Sequence, residues 1–224
     1  MTFNPTFLLI ATGKYKQFVR QCEQSIKKYF PNSIIYIFGD GDANFKITHL
    51  GFPYVTLYRF NYFNQAEKHI EGDFIYYMDV DSHFVDYPDI KGDLVGVRHC
   101  GYFFDENKPH IPMEDNPKSV FFQYHFEKYF GGGFIGGNRK EFFKLSKWCA
   151  EKIDIDAKNK IIPRHNDETA LNAYFSLHKP TLELSPNYHF PENYQYFSER
   201  CWGNKNPFHP RILLLHKNHE EVRQ

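Results

Sequence analysis

The stretch Phe74-Ile-Tyr-Tyr-Met-Asp-Val-Asp81 decides how this chain reads. Five apolar residues in a row predict a buried strand over Phe74–Met78, and two carboxylates follow at its carboxyl end. In extended backbone, side chains at i and i+2 point the same way. Asp79 and Asp81 are therefore expected to share one side while Val80 turns to the core. Two such carboxylates repel unless a cation lies between them, and their oxygens suit Mn²⁺ or Mg²⁺. The competing reading is a solvated turn after a strand. The location argues for the metal, because open α/β sheets bind ligands at the carboxyl ends of their strands.

Upstream, Thr6–Thr12 predicts a first strand closed by Thr12-Gly13. Phe18, Cys22, Ile26 and Phe30 recur at i+4 steps and predict one helical face over Tyr15–Phe30. Ser33–Phe38 predicts a second strand, Tyr54–Leu57 a short one, and Phe60–Ile70 a helix. Strands alternating with helices imply a parallel α/β sheet. Downstream, Asp93–Arg98 reads as a strand and Asp105–Lys118, with its prolines, as a long loop. Phe130–Gly137 reads as a glycine-rich strand. Asn138 and Glu141 cap a helix reaching about Ile155. A further helix is expected over Asn166–Leu177, then loop to Pro210, a last strand Arg211–Leu215 and a polar tail.

The 224 residues suit one domain, and 42% hydrophobic content supplies a core. Lys+Arg and Asp+Glu both total 27, so the basic excess of a nucleic-acid binder is missing. No apolar run reaches the ~18 residues of a membrane span. The start lacks a signal-peptide pattern, and four scattered cysteines form no CxxC pair. A reduced, cytoplasmic protein is expected. Its 19% aromatic content suits stacking on bases and sugars, although most such rings serve as core.

Two enzyme classes place Asp-x-Asp after an apolar strand: phosphohydrolases with an aspartyl nucleophile, and nucleotide-sugar transferases that hold a metal on a diphosphate. The first usually carries the motif on its opening strand. Here a βαβ unit comes first, which favours the transferase. A carbohydrate-binding module without turnover is a third reading. Asp167-Glu168 opens a helix, where acidic residues commonly oppose the macrodipole. Gly131, Gly132, Gly133, Gly136 and Gly137 weaken a strand unless a ligand or a packing partner approaches the backbone closely. Lys217 and Arg223 lie in what is otherwise a frayed terminus.

Seven segments recur in an order that resembles glycosyltransferase family 6, the histo-blood-group A/B and α-1,3-galactosyltransferase family. They are Ala11-Thr-Gly-Lys-Tyr15, Tyr77-Met-Asp-Val-Asp81, His99-Cys-Gly-Tyr-Phe103, Gly132-Gly-Phe-Ile-Gly-Gly137, Asn166-Asp-Glu-Thr-Ala-Leu-Asn172, Leu184-Ser-Pro-Asn-Tyr188 and Lys217-Asn-His-Glu-Glu-Val-Arg223. The resemblance implies a single-domain, Rossmann-like GT-A fold. About 1–98 would form the nucleotide-sugar half, about 99–216 the acceptor half, and 217–224 a mobile tail. It implies retaining transfer of GalNAc or Gal from a UDP-sugar to the 3-OH of a β-galactoside. Mn²⁺, or Mg²⁺, would sit on Asp79-Val80-Asp81.

By the same resemblance, Ala11 and Tyr15 meet uracil, and Arg59 steadies the acidic pair. Asp79 and Asp81 bind ribose and metal, and Asp167 binds the donor sugar. His99, His165 and Glu168 meet the acceptor, with Glu168 also the catalytic carboxylate. Lys217 and Arg223 hold the diphosphate. Glycine at 131 and 133 leaves room for a 2-acetamido group. The resemblance is to the compact microbial or viral type, without the anchor and stem of mammalian members. Two departures fall on the acceptor side: His165-Asn166 where the family often has Trp-His, and Pro112 where it usually has Thr. A missing Trp removes a sugar-stacking platform, so a fucosylated acceptor is not implied.

Overall fold

Both faces of the first strand are covered, and this sets the layer order. The computed structural model describes residues 3–104, 109–202 and 208–222. Arg223 and the Asp105–Lys108 part of the expected loop lie outside them. In β1 (Thr6–Ala11) every residue is buried. Phe7, Leu9 and Ala11 enter a core shared with Cys22 and Ile26 of α1 (Val19–Tyr29), while Leu8 and Ile10 enter the core on the other face. The expected first helix begins as a 3-10 turn over Gly13–Phe18 before α1 takes over. Next come β2 (Ile34–Gly39) and β3 (Phe45–Lys46).

Tyr54–Leu57 is a helical turn, α2, not a strand. Its β-branched composition is overridden locally: Val55 donates to Gly51 O and Leu57 to Pro53 O, both at 3.0 Å. Then follow α3 (Arg59–Ala66), β4 (Phe74–Met78), β5 (Ser82–Phe84), β6 (Leu94–Arg98) and β7 (Phe130–Asn138). The Asn138 side chain accepts from Glu141 N at 2.9 Å, which caps α4 (Arg139–Lys158) as its sequence predicts. α5 (Asn166–Leu177) has the expected bounds. The expected late loop carries β8 (Leu182–Leu184), β9 (Phe190–Pro191) and α6 (Gln195–Cys201), ahead of β10 (Ile212–Leu214) and α7 (His219–Val222).

The main sheet has seven strands in the order β3-β2-β1-β4-β7-β6-β8. It is mixed rather than parallel: β7 opposes both β4 and β6, and its other pairs are parallel. This is the mixed α/β arrangement of a single-domain GT-A fold. β2 and β4 flank β1 on opposite sides, so the chain reverses direction across the sheet at β1. A crevice opens there at the carboxyl ends, and Asp79 and Thr12 lie at its edge. A small sheet, β5-β10-β9, brings the chain end back beside the acidic turn. Among the described residues no helix is long and apolar enough to cross a membrane.

The glycines of β7 divide by position. A Cβ on Gly136 would fall 2.2 Å from the Tyr76 ring and 2.6 Å from Ile75 O, so glycine here lets β7 lie tightly against β4. Gly136→Ala should cost about 3 kcal/mol or more, read as a lower denaturation midpoint, because backbone cannot retreat as a side chain can. A midpoint within error of the wild type would show that the strands separate freely.

Candidate active site

The crevice forms a cleft lined by Thr12, Tyr15, Arg59, Asp79, Asp81 and Lys217, among others. β4 ends at Met78, so Asp79–Asp81 form a turn rather than extended strand, closed by Ser82 N donating to Asp79 O at 3.0 Å. Both carboxylates still reach the same cleft, and Val80 is buried in the core as expected. Ala11 turns its side chain into the core between Ile10 and Thr12, which line the cleft.

The two acids differ. Asp79 keeps 29% of its side chain open, whereas Asp81 is buried and its carboxylate pairs with the Lys217 ammonium. That ammonium also lies 5.4 Å over the Tyr15 ring. A buried carboxylate that recruits a cation, beside a second carboxylate, is a donor set fit for Mn²⁺ or Mg²⁺. Among the described residues no three His, Cys, Asp or Glu side chains form a metal cluster. Two protein carboxylates would therefore need oxygens from a phosphate or water to fill a shell.

Arg59 joins this cleft to the chamber behind it. It opens α3 and is 4% exposed. It donates to Gly132 O at 2.8 Å and Thr56 O at 3.2 Å, and lies 3.3 Å from Asp167 and 3.9 Å from Asp79. Its guanidinium stacks 4.5 Å over Tyr77, whose hydroxyl donates to Asp79 at 2.5 Å. Burial pushes Asp79 upward, but Arg59, His189, Tyr77 and Lys217 outweigh it and hold its carboxyl below the usual range. For Asp167 burial wins. Arg59 opposes it, the Glu168 and Asp79 carboxylates reinforce it, and the carboxyl is pushed up to about 7.

In the chamber, α5 starts with Asn166 at φ 50°, a left-handed conformation that asparagine tolerates. Asp167 and Glu168 follow. Both turn inward, so first-turn charge complementarity does not exhaust their role. Glu168 accepts from Tyr129 Oη and from Gly132 N, each at 2.8 Å. His99 packs edge-on against Tyr129 at 5.6 Å and accepts from Gly101 N through Nδ1, while the His165 ring lies 6.2 Å from Tyr129. Burial holds both imidazoles below their ordinary pKa, against the pull of Glu168.

Sequence reasoning misses Tyr77, Tyr129 and His189. Tyr129 adjoins the glycine-rich strand and His189 follows the Leu184–Tyr188 motif, but no spacing connects either to its partner. The room expected beside both glycines exists beside one. A Cβ on Gly131 would meet nothing nearer than 3.4 Å, whereas on Gly133 it would fall 2.1 Å from His189 Nε2. The imidazole fills that notch.

Residues 55–223 match the family described as Glycosyltransferase family 6. Globoside alpha-1,3-N-acetylgalactosaminyltransferase 1 of Gallus gallus is 28% identical, across 95% of this chain and 67% of its own length. Histo-blood group ABO system transferase 1 of Rattus norvegicus is 31% identical, across 73% and 46%. O-antigen biosynthesis glycosyltransferase WbnI of Escherichia coli is 29% identical, across 83% and 87%.

The raised carboxyl of Asp167 has a sign that melting can read. Its folded pKa, about 7, exceeds its ordinary value, 3.8. The stability it contributes is therefore complete below about pH 4 and lost as pH rises through about 7. Asp167→Asn keeps the neutral shape and removes that titration. Whatever constant offset the lost Arg59 contact sets, the variant's stability relative to wild type should rise by a few kcal/mol as pH goes from 4 to 8. Parallel melting curves across this range would refute the shift.

Proposed function

Because the chain belongs to glycosyltransferase family 6, we propose that it is a retaining hexosyltransferase. It moves GalNAc or Gal from a UDP-sugar to the 3-OH of a β-galactoside and forms an α-1,3 linkage. Relatives of this family imply a sugar-nucleotide donor and a glycan acceptor, and such enzymes are generally divalent-metal dependent. The observation that carries the reading is the Arg59 junction. A cleft with two carboxylates and a lysine from the chain's last segment meets, across one guanidinium, a chamber with a fixed carboxylate.

Ala11 and Tyr15 receive the uracil, and the Asp79-Val80-Asp81 turn the ribose and the metal, Mn²⁺ or Mg²⁺. Asp79 and Asp81 would hold the ion, which would supply Lewis-acid neutralisation of the leaving group. Lys217 turns from Asp81 to the diphosphate and adds a second positive charge. Arg223, outside the described residues, is assigned to the same task. In this reading residues 217–224 fold over the nucleotide and exclude water. About 1–98 form the nucleotide-sugar half and about 99–216 the acceptor half, whose glycine strand and Asp167 also border the donor sugar.

Gly131, Gly132 and Gly133 form the floor under the donor sugar, beside Asp167. As the sugar–phosphate bond breaks, positive charge develops on the sugar carbon. Glu168 faces it, with both oxygens fixed by Tyr129 and the Gly132 amide, so little reorganisation opposes the transition state. His99 and His165 border the acceptor. Its hydroxyl proton leaves with the departing phosphate, so no protein base is required.

UDP release tests the whole reading. With UDP-GalNAc, UDP-Gal or UDP-Glc and a panel of β-galactosides, release should require acceptor, vanish on chelation and return with Mn²⁺. Phosphate release without sugar transfer, or sugar binding without turnover, would support one of the two rival classes. Glu168→Gln should lower kcat by about 10²-fold or more while UDP affinity holds. A small stability loss with near-normal kcat would return Glu168 to the role of a first-turn acid.

A further inference from the structure

His189 has a buried ring nitrogen, Nε2, without a hydrogen-bond partner. It faces Asp79 Oδ2 across 4.0 Å, too far for a direct bond. The gap lies over Gly133, where a Cβ would fall 2.1 Å from Nε2 and 2.8 Å from Oδ2. Glycine thus lets the imidazole take the Cβ position and face the carboxylate across a narrow slot with no side chain between them. The other Asp79 oxygen is already engaged by the Tyr77 hydroxyl.

The separation discriminates between occupants. One oxygen about 2.8 Å from each atom closes a triangle with about 90° at that oxygen, near the spread of a hydroxyl's proton and lone pairs. A divalent ion about 2.1 Å from each would need about 145°, which fits neither the roughly 90° nor the roughly 180° arrangement of an octahedral shell. The neighbouring carboxylate selects the tautomer with its proton on Nε2. An occupant must then accept from nitrogen and donate to oxygen through one atom. A hydroxyl does both. An acetamido nitrogen only donates, its carbonyl only accepts, and a methylene does neither.

We propose that His189 and Asp79 form a pair that reads one hydroxyl of the donor hexose over Gly133. The proposal rests on the transferase reading above and adds a specificity residue to it. The metal does not compete for this slot, because each carboxylate oxygen offers two acceptor directions. The pair also makes an unoccupied slot costly, since a sugar lacking that hydroxyl leaves a buried N–H unpaired.

The test pairs substitutions with deoxygenated donors. Wild type, His189→Leu and His189→Gln are assayed with UDP-galactose and its single deoxy analogues, with folding followed by thermal melts. Acceptor-dependent UDP release by the wild type establishes the transferase reading on its own. His189→Leu should then lower kcat/KM for the complete donor by about tenfold or more, and lose nothing further with the one analogue that lacks the read hydroxyl. His189→Gln, which keeps an N–H, should recover part of the loss, and UDP alone should bind all three proteins within about twofold. If the Leu variant does not fold, the Gln variant and the wild type carry the same comparison across the analogues. Equal losses with every analogue, or a fall in UDP affinity in step with kcat/KM, would overturn the proposal while leaving the transferase reading intact.

Discussion

A buried guanidinium needs carboxylates, and Arg59 takes them from two distant parts of the chain. Asp79 follows β4 and Asp167 lies in the first turn of α5, and the same group reaches the Gly132 peptide on β7. Breaking a buried pair by removing one partner commonly costs about 3–5 kcal/mol, because the remaining charge is left uncompensated. The elements that carry the site are therefore locked to one another by the charge they share. Burial also makes the group chemically asymmetric: it helps to hold Asp79 ionised, whereas Asp167, more deeply enclosed among like charges, is pushed toward neutrality. The cation pulls both carboxyls down, and it is burial with the neighbouring carboxylates that outweighs it at Asp167 alone.

The local features were legible. The apolar run before Asp79, the cap at Asn138 and the bounds of α5 follow from neighbouring residues, so a single sequence suffices for them. Tyr54–Leu57 misled because β-branched composition is a weak preference, which two carbonyl acceptors from Gly51 and Pro53 overrode. Extended geometry was assumed beyond Met78, across Asp79–Asp81, although the turn still delivers both acids to one cleft.

The contacts behind those acids were not legible. Tyr129 meets Glu168, and His189 meets Gly133, through pairings of distant segments that leave no periodic trace. Glycine in a sequence reports missing bulk, not empty space. Gly131 leaves room, Gly133 yields its room to an imidazole, and Gly136 yields its room to Tyr76. Three identical letters on one strand have three different neighbours, and only the tertiary arrangement separates them.

The small sheet has a kinetic meaning. Leu215 N donates to Asp81 O at 2.9 Å, so the tail is tethered to the peptide of the very residue whose carboxylate Lys217 neutralises. Two residues of chain span at most about 7 Å. The ammonium therefore meets Asp81 at a high effective concentration, set by tether length rather than by affinity. Dissolved monovalent cations at ordinary ionic strength compete poorly with a partner so confined and so little screened. Whatever displaces Lys217 must bring its own anionic attraction for the lysine, as a diphosphate does, rather than merely a rival positive charge.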